Sequence, residues 1–221
     1  MNHTKTTKVL LMGAVTVLAG MLILAGCSDD DDPVRVIPDP VAGPESPDEL
    51  VALFRDAQET RDPEKYMALL DPEFLMVLQE ATTQEFPSVG TMLDLSEESR
   101  IHERMFSGDN LTDPDGDFIP GVADISFSVF SAQANWSPTD DEDNFPGTVW
   151  TSYEVSLLWD RGQDFSTLRV NGTVKIYAKA HEVVVGGTNQ TYYLMAGMVD
   201  LTNLGKSTEE NSWGKVKAIF R

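Results

Sequence analysis

The hydrophobic period of this chain changes once, and that change decides what it can fold into. From Leu50 to Leu70 and again from Ile101 to Phe106 apolar side chains recur every three to four residues; from Val122 onward they recur every second residue. The first spacing puts a buried stripe on a helix, and the second puts a buried face on a strand. Ser46-Pro47-Asp48-Glu49 is a capping box with proline at the first helical position, followed by an apolar face of Leu50, Leu53, Phe54 and Ala57. Arg61-Asp62-Pro63-Glu64 closes that helix and opens a shorter one bearing Tyr66, Met67, Leu69 and Leu70, which Asp71-Pro72 ends. Phe74 to Leu78 reads as a short strand. Ser96-Glu97-Glu98 opens a third helix with Ile101, Met105 and Phe106 on its buried side and Gly108 at its end. Residues 79–95 show no clear period.

In the second half Ile125, Phe127 and Val129 alternate with Ser126 and Ser128. Val149, Thr151, Tyr153, Val155, Leu157 and Trp159 form one face of a long strand. Leu168, Val170, Val174, Ile176 and Ala178 form a face of the next, and Tyr193, Met195, Gly197, Val199 and Leu201 of another. Val216, Ala218 and Phe220 predict a closing strand. Turn signals at Asp160-Arg161-Gly162, at Gly186-Gly187 and from Asn203 to Asn211 separate these runs. Helices first and a strand meander after them predict an α+β fold with an antiparallel sheet.

Ahead of this domain lies a different kind of sequence. Lys5 and Lys8 precede an almost unbroken apolar run from Val9 to Ala25, and Asp29 to Asp32 follow at once. That order is the order of a secretory signal. Leu24-Ala25-Gly26-Cys27 resembles the bacterial lipobox. The resemblance implies removal of residues 1–26, diacylglycerol on the Cys27 sulfur and a further acyl chain on the new amine. Several acyl chains on one residue anchor a protein stably. Ser28 follows the cysteine where inner-membrane lipoproteins tend to carry Asp, so the rule of that class points to the outer membrane. Residues 27–45 then read as an acidic, proline-rich tether that stays extended.

Charge narrows the partners. The chain carries 36 Asp+Glu against 16 Lys+Arg, a net charge of −20, and loss of Lys5 and Lys8 with the leader takes it to about −22. Nucleic acid is excluded, because its phosphates would be repelled. Cys27 is the only cysteine, so the domain holds no disulfide and no thiol chemistry. Nothing in the residues asks for a cofactor.

The order of elements over residues 46–221 resembles the nuclear transport factor 2-like (cystatin-like) superfamily. The stretch from Ser46 to Ala57, the stretch from Arg61 to Phe74 and the ending from Trp213 to Arg221 carry the resemblance. It implies a strongly curved sheet that encloses a cone with the helices, with the ending as its last strand, and a homodimer formed through the open sheet. The family holds isomerases, cyclases and dehydratases beside non-catalytic binding modules, and fold does not choose among them. Its enzymes use an acid or a His, often with a Tyr, inside the cone. No motif here transfers those roles.

The candidates read from the residues are Tyr66 on the second helix, His102 on the third, and Glu154 and Asp200 on strands among apolar neighbours. A carboxylate among apolar groups has a raised pKa and can act as a base. His102 alternates most simply as a half-exposed helix residue, and His181 as an exposed strand residue. Asp113, Asp115, Asp117 and Asp124 fall at positions 1, 3, 5 and 12 of a calcium loop, but Phe118 stands where that loop needs glycine. Three functions remain open at this point. One is a lipid-anchored module binding a small apolar ligand or an envelope protein. The others are an enzyme of the isomerase, cyclase or dehydratase type and a calcium-binding envelope protein.

Overall fold

A computed structural model describes residues 43–113, 116–201 and 210–221. Cys27, the leader, nearly all of the tether and Asp115 lie outside these residues. The helical half consists of α1 (Pro47–Glu59), α2 (Pro63–Ala68), β1 (Leu70–Val77), α3 (Glu80–Glu85), a 3-10 turn (Pro87–Val89), β2 (Met92–Asp94) and α4 (Leu95–Phe106). A small hairpin, β3 (Leu111–Thr112) and β4 (Phe118–Ile119), leads to β5 (Asp124–Ala132), β6 (Ser137–Pro138), β7 (Val149–Asp160), β8 (Leu168–Val185) and β9 (Thr188–Asp200). The chain ends in β10 (Glu210–Asn211) and α5 (Trp213–Ile219).

The main sheet runs β2-β1-β9-β8-β7-β5, with β6 beside β7 and β10 beside β8. Its long pairings, β5–β7, β7–β8 and β8–β9, are antiparallel, while β1–β9 and β10–β8 are parallel. The fold is α+β, with helices on a curved, antiparallel-rich sheet. Bulges bend it, and each also resets which residues face inward. Ser128 is extra between Phe127 and Val129 on β5. Val129 is consequently 37% exposed, and Phe130 packs against the core in its place. Ala196 is extra on β9, where Met195 pairs with Ala178 and Gly197 with Tyr177. Beyond it Met198 and Asp200 are buried, and the face expected from Gly197, Val199 and Leu201 turns away. A Cβ on Gly197 would sit inside the Phe145 ring. Phe145 packs on Tyr177 with ring centroids 4.4 Å apart, so the loop before β7 covers this part of the sheet's outer side.

The first helix begins as expected. Ser46 Oγ accepts from the Glu49 N–H at 3.2 Å, and Glu49 Oε2 accepts from the Glu45 N–H at 2.7 Å. Its buried stripe is Leu50, Val51, Phe54, Ala57 and Gln58, with Leu53 left 39% exposed. The third helix of the sequence reading is α4, capped by Asp94.

The expected closing strand is instead the helix α5. Ser212 Oγ accepts from the Lys215 N–H at 3.0 Å and caps it. Trp213, Val216, Lys217 and Phe220, spaced i, i+3, i+4, i+7, are all buried. Alternation through Val216, Ala218 and Phe220 leaves Trp213 and Lys217 without a place; the helical stripe accounts for both. Trp213 reaches Phe54 of α1 at 5.9 Å, Phe127 of β5 at 6.0 Å and Trp159 of β7 at 6.0 Å between ring centroids. The helix therefore fills the space between α1 and the sheet.

Candidate functional site

Two of the four candidates come together. Tyr66 and His102 are both fully buried, so His102 is not the half-exposed residue its helix position suggested. Their rings stack with centroids 3.7 Å apart. Glu98, one turn before His102, is fully buried beside them. Tyr66 Oη donates to Glu98 Oε1, and Lys217 Nζ from α5 donates to the same oxygen. His102 Nδ1 lies 3.0 Å from the Glu98 backbone oxygen, and Gln58 Nε2 lies 3.0 Å from His102 Nε2. A carbonyl oxygen only accepts, so the proton sits on Nδ1 and Nε2 accepts from the Gln58 amide. Gln58 Oε1 and Glu98 Oε2 are buried with no partner among the described residues.

The electrostatics follow from burial and from one ammonium group. Burial pushes the Glu98 carboxyl up, but Lys217, His102 and the hydrogen bonds from Lys217 and Tyr66 outweigh it and hold it below its ordinary value. Burial pulls His102 down to about 3, so the imidazole is neutral at pH 7; Lys217 acts in the same direction and Glu98 against it. Burial and the neighbouring Glu98 charge push the Tyr66 phenol well above its ordinary value, so it stays a donor. The result is an ionised carboxylate, a neutral imidazole and a phenol in hydrogen-bond reach, closed on the fourth side by Lys217.

The other candidates stand apart. Glu154 is exposed on the outer side of β7, opposite Thr173 of β8, away from the cluster. Asp200 is buried but serves α5: its Oδ2 accepts from the Gly214 N–H at 2.8 Å, and its Oδ1 from Gln79 Nε2 at 3.1 Å. The acidic stretch forms the β3–β4 hairpin. Asp113 Oδ1 accepts from the Asp117 N–H at 2.8 Å, and Phe118 pairs with Thr112 where a calcium loop would turn inward. Asp117 and Asp124 are exposed. Among the described residues no three His, Cys, Asp or Glu side chains gather around a common point. His181 is only partly exposed, and its Nε2 lies 2.7 Å from Asp71 Oδ2.

Sequence reasoning missed Gln58, Glu98 and Lys217, though a signal existed for each. Extending the α4 stripe of Ile101, Met105 and Phe106 by one turn passes through Glu98 and His102. Gln58 follows Phe54 at i+4 on α1, and Lys217 lies on the helical stripe of α5. The surface grooves are lined by other residues. One of about 670 Å³ lies between β1 and α4, and one of about 660 Å³ lies between α4 and α5.

No protein-family model matches the chain, and no curated protein matches it. Several solved structures share its layout. A proposed aromatic ring hydroxylase from Novosphingobium aromaticivorans is 12% identical, with a TM-score of 0.42 over 69% of this chain and 82% of its own. A proposed dehydratase of the NTF2-like family from Streptomyces avermitilis is 13% identical, with a TM-score of 0.35 over 68% and 88%. A cystatin-like protein of unknown function from Nostoc punctiforme is 12% identical, with a TM-score of 0.32 over 68% and 84%. Identity this low concerns fold and not chemistry. The fold itself, helices on a curved and antiparallel-rich sheet, is the one the order of elements led us to expect.

Proposed function

We propose that this chain is a lipid-anchored protein of the bacterial cell envelope, held by acyl chains on Cys27, whose domain binds a ligand or partner without catalysis. The observation that carries the second half is the closed cone. The Tyr66, Glu98 and His102 side chains are fully buried, and α5 sets Lys217 on the one carboxylate that a reaction would use. A base paired to an ammonium and shut off from solvent has no route to a substrate proton. Binding then takes place on the outer grooves.

Chemical labelling tests this. Diethylpyrocarbonate should modify His181, whose side chain is 25% exposed, and leave His102 untouched in the native protein. Labelling of both at similar rates would mean that the cone opens. The anchor is tested apart from this: Cys27→Ser should move the protein from the detergent phase to the aqueous phase in a phase-partition assay and abolish palmitate incorporation.

One observation favours a second reading, an isomerase-, cyclase- or dehydratase-type enzyme. An acid and a His are buried in the cone with a Tyr in hydrogen-bond reach, as such an enzyme needs. It requires α5 to withdraw, and the same labelling experiment separates the two.

A further inference from the structure

The groove of about 660 Å³ between α4 and α5 gathers three of the chain's eight arginines, Arg100, Arg104 and Arg221, over an apolar floor. Phe86, Val89 and Ile219 contribute to that floor, and its size falls within the range of small-molecule sites. In a chain of net charge −20 such a gathering is out of character. Arg100 and Arg104 stand one turn apart on α4, an arrangement in which like charges repel.

Their commitments differ. Arg221 Nη2 is paired with Glu97, and its Nη1 donates to the Ser88 backbone oxygen. Arg104 spends one donor on the Arg221 backbone oxygen. Arg100 is exposed at the edge that the α4–α5 groove shares with the β1–α4 groove, and no hydrogen bond or ion pair joins it to a described residue. Asp113 also lines the groove and opposes a second negative charge on any occupant.

We infer that this groove binds a singly charged apolar carboxylate, its chain or ring on the Phe86–Val89–Ile219 floor and its carboxylate on Arg100 and Arg104. The planar guanidinium presents two N–H donors in the spacing of a carboxylate, which an ammonium does not. A polyphosphate would meet Asp113 and the chain's overall negative charge. This names a site and a ligand class for the binding reading above and rests on that reading.

Calorimetric titration of the purified protein with decanoate, and separately with decanol, tests it. Decanoate should bind, decanol should bind at least about tenfold more weakly, and Arg100→Ala should weaken decanoate by about tenfold or more while leaving decanol unchanged. Arg100 is exposed, so its removal leaves the fold intact. Arg100→Lys should restore less than half of the lost affinity in free-energy terms. Equal binding of decanoate and decanol, decanoate binding that ignores Arg100→Ala, or no decanoate binding would each overturn the assignment. Modification of His102 would overturn the closed cone instead and leave this result standing.

Discussion

Lys217→Met isolates what the buried ammonium does for the fold. The substitution keeps most of the side-chain volume and leaves the Glu98 carboxylate in a dry interior with the Tyr66 hydroxyl as its main partner. An uncompensated buried charge of this kind costs about 3–5 kcal/mol. The carboxyl has a way out, which is to take up a proton. Doing so from an ordinary pKa of about 4.3 costs about 3.7 kcal/mol at pH 7 and about 1 kcal/mol at pH 5. The reference is the double variant Glu98→Gln/Lys217→Met, in which no charge remains to be buried. Against it, the single variant should be about 3–4 kcal/mol less stable at pH 7 and about 1 kcal/mol less stable at pH 5. The sign is opposite to that of the parent. There Glu98 lies below its ordinary pKa, so its contribution is present above that ordinary value and is lost as pH falls through the lowered one. Urea unfolding read by the fluorescence of the buried Trp159 and Trp213 gives both numbers. A deficit that stays constant between pH 7 and pH 5, or grows on acidification, would refute the pairing.

His102 makes the parent protein acid-labile over a separate window. Its folded value is about 3 and its ordinary value about 6.5, so the unfolded chain takes the proton first and stability falls with pH. Between pH 7.5 and pH 5 the loss should be about 2 kcal/mol. His102→Gln should flatten that segment of the stability profile; an unchanged slope would place the titration elsewhere. Gly197→Ala drives a methyl group into the Phe145 ring and should cost about 1–3 kcal/mol. In a Phe145→Ala background the same change should cost less than about 0.5 kcal/mol, and equal costs in both backgrounds would show that Phe145 does not lie on Gly197.

The sequence disclosed the fold where one periodicity acted alone. The faces of β7 and β8 emerged as read, because eleven successive pairs, from Val149–Ala178 to Trp159–Leu168, hold one register. It misled where a bulge intervened. The extra residues Ser128 and Ala196 shift the phase of β5 and β9, and alternation counted through them assigns the later side chains to the wrong side. It misled again at α5, where Val216, Ala218 and Phe220 alternate like a strand face and only the buried Trp213 and Lys217 decide for the helix. The candidate site was half legible for a related reason. Tyr66 and His102 attract notice as residue types, while Glu98 and Lys217 read as surface charges until the helical stripe is followed through them. Charges are buried almost only in pairs, and these partners lie 119 positions apart, beyond any local pattern.

The two faces of α5 separate the buried cluster from the arginine groove. The helix is fastened by Ser212 Oγ to Thr82 Oγ1 at 3.0 Å, by the Gly214 N–H to Asp200, and by Lys217 to Glu98. Gly214 permits the second, since a Cβ there would stand 2.8 Å from Leu78 Cδ2 and 3.2 Å from Asp200 Oδ2. Withdrawing α5 would break all three and bare Trp213, Val216 and Phe220, each buried to 1% exposure or less. At roughly 1.5–3 kcal/mol for each such side chain, the apolar loss alone approaches the whole stability of an ordinary domain. A ligand that had to open the cone would spend its affinity on that opening. The same helix and the residues just after it turn Ala218, Ile219 and Arg221 toward α4 and line the arginine groove there at no such cost. The element that covers the buried cluster thus supplies one wall of the proposed site, and binding at that wall would leave the cluster undisturbed.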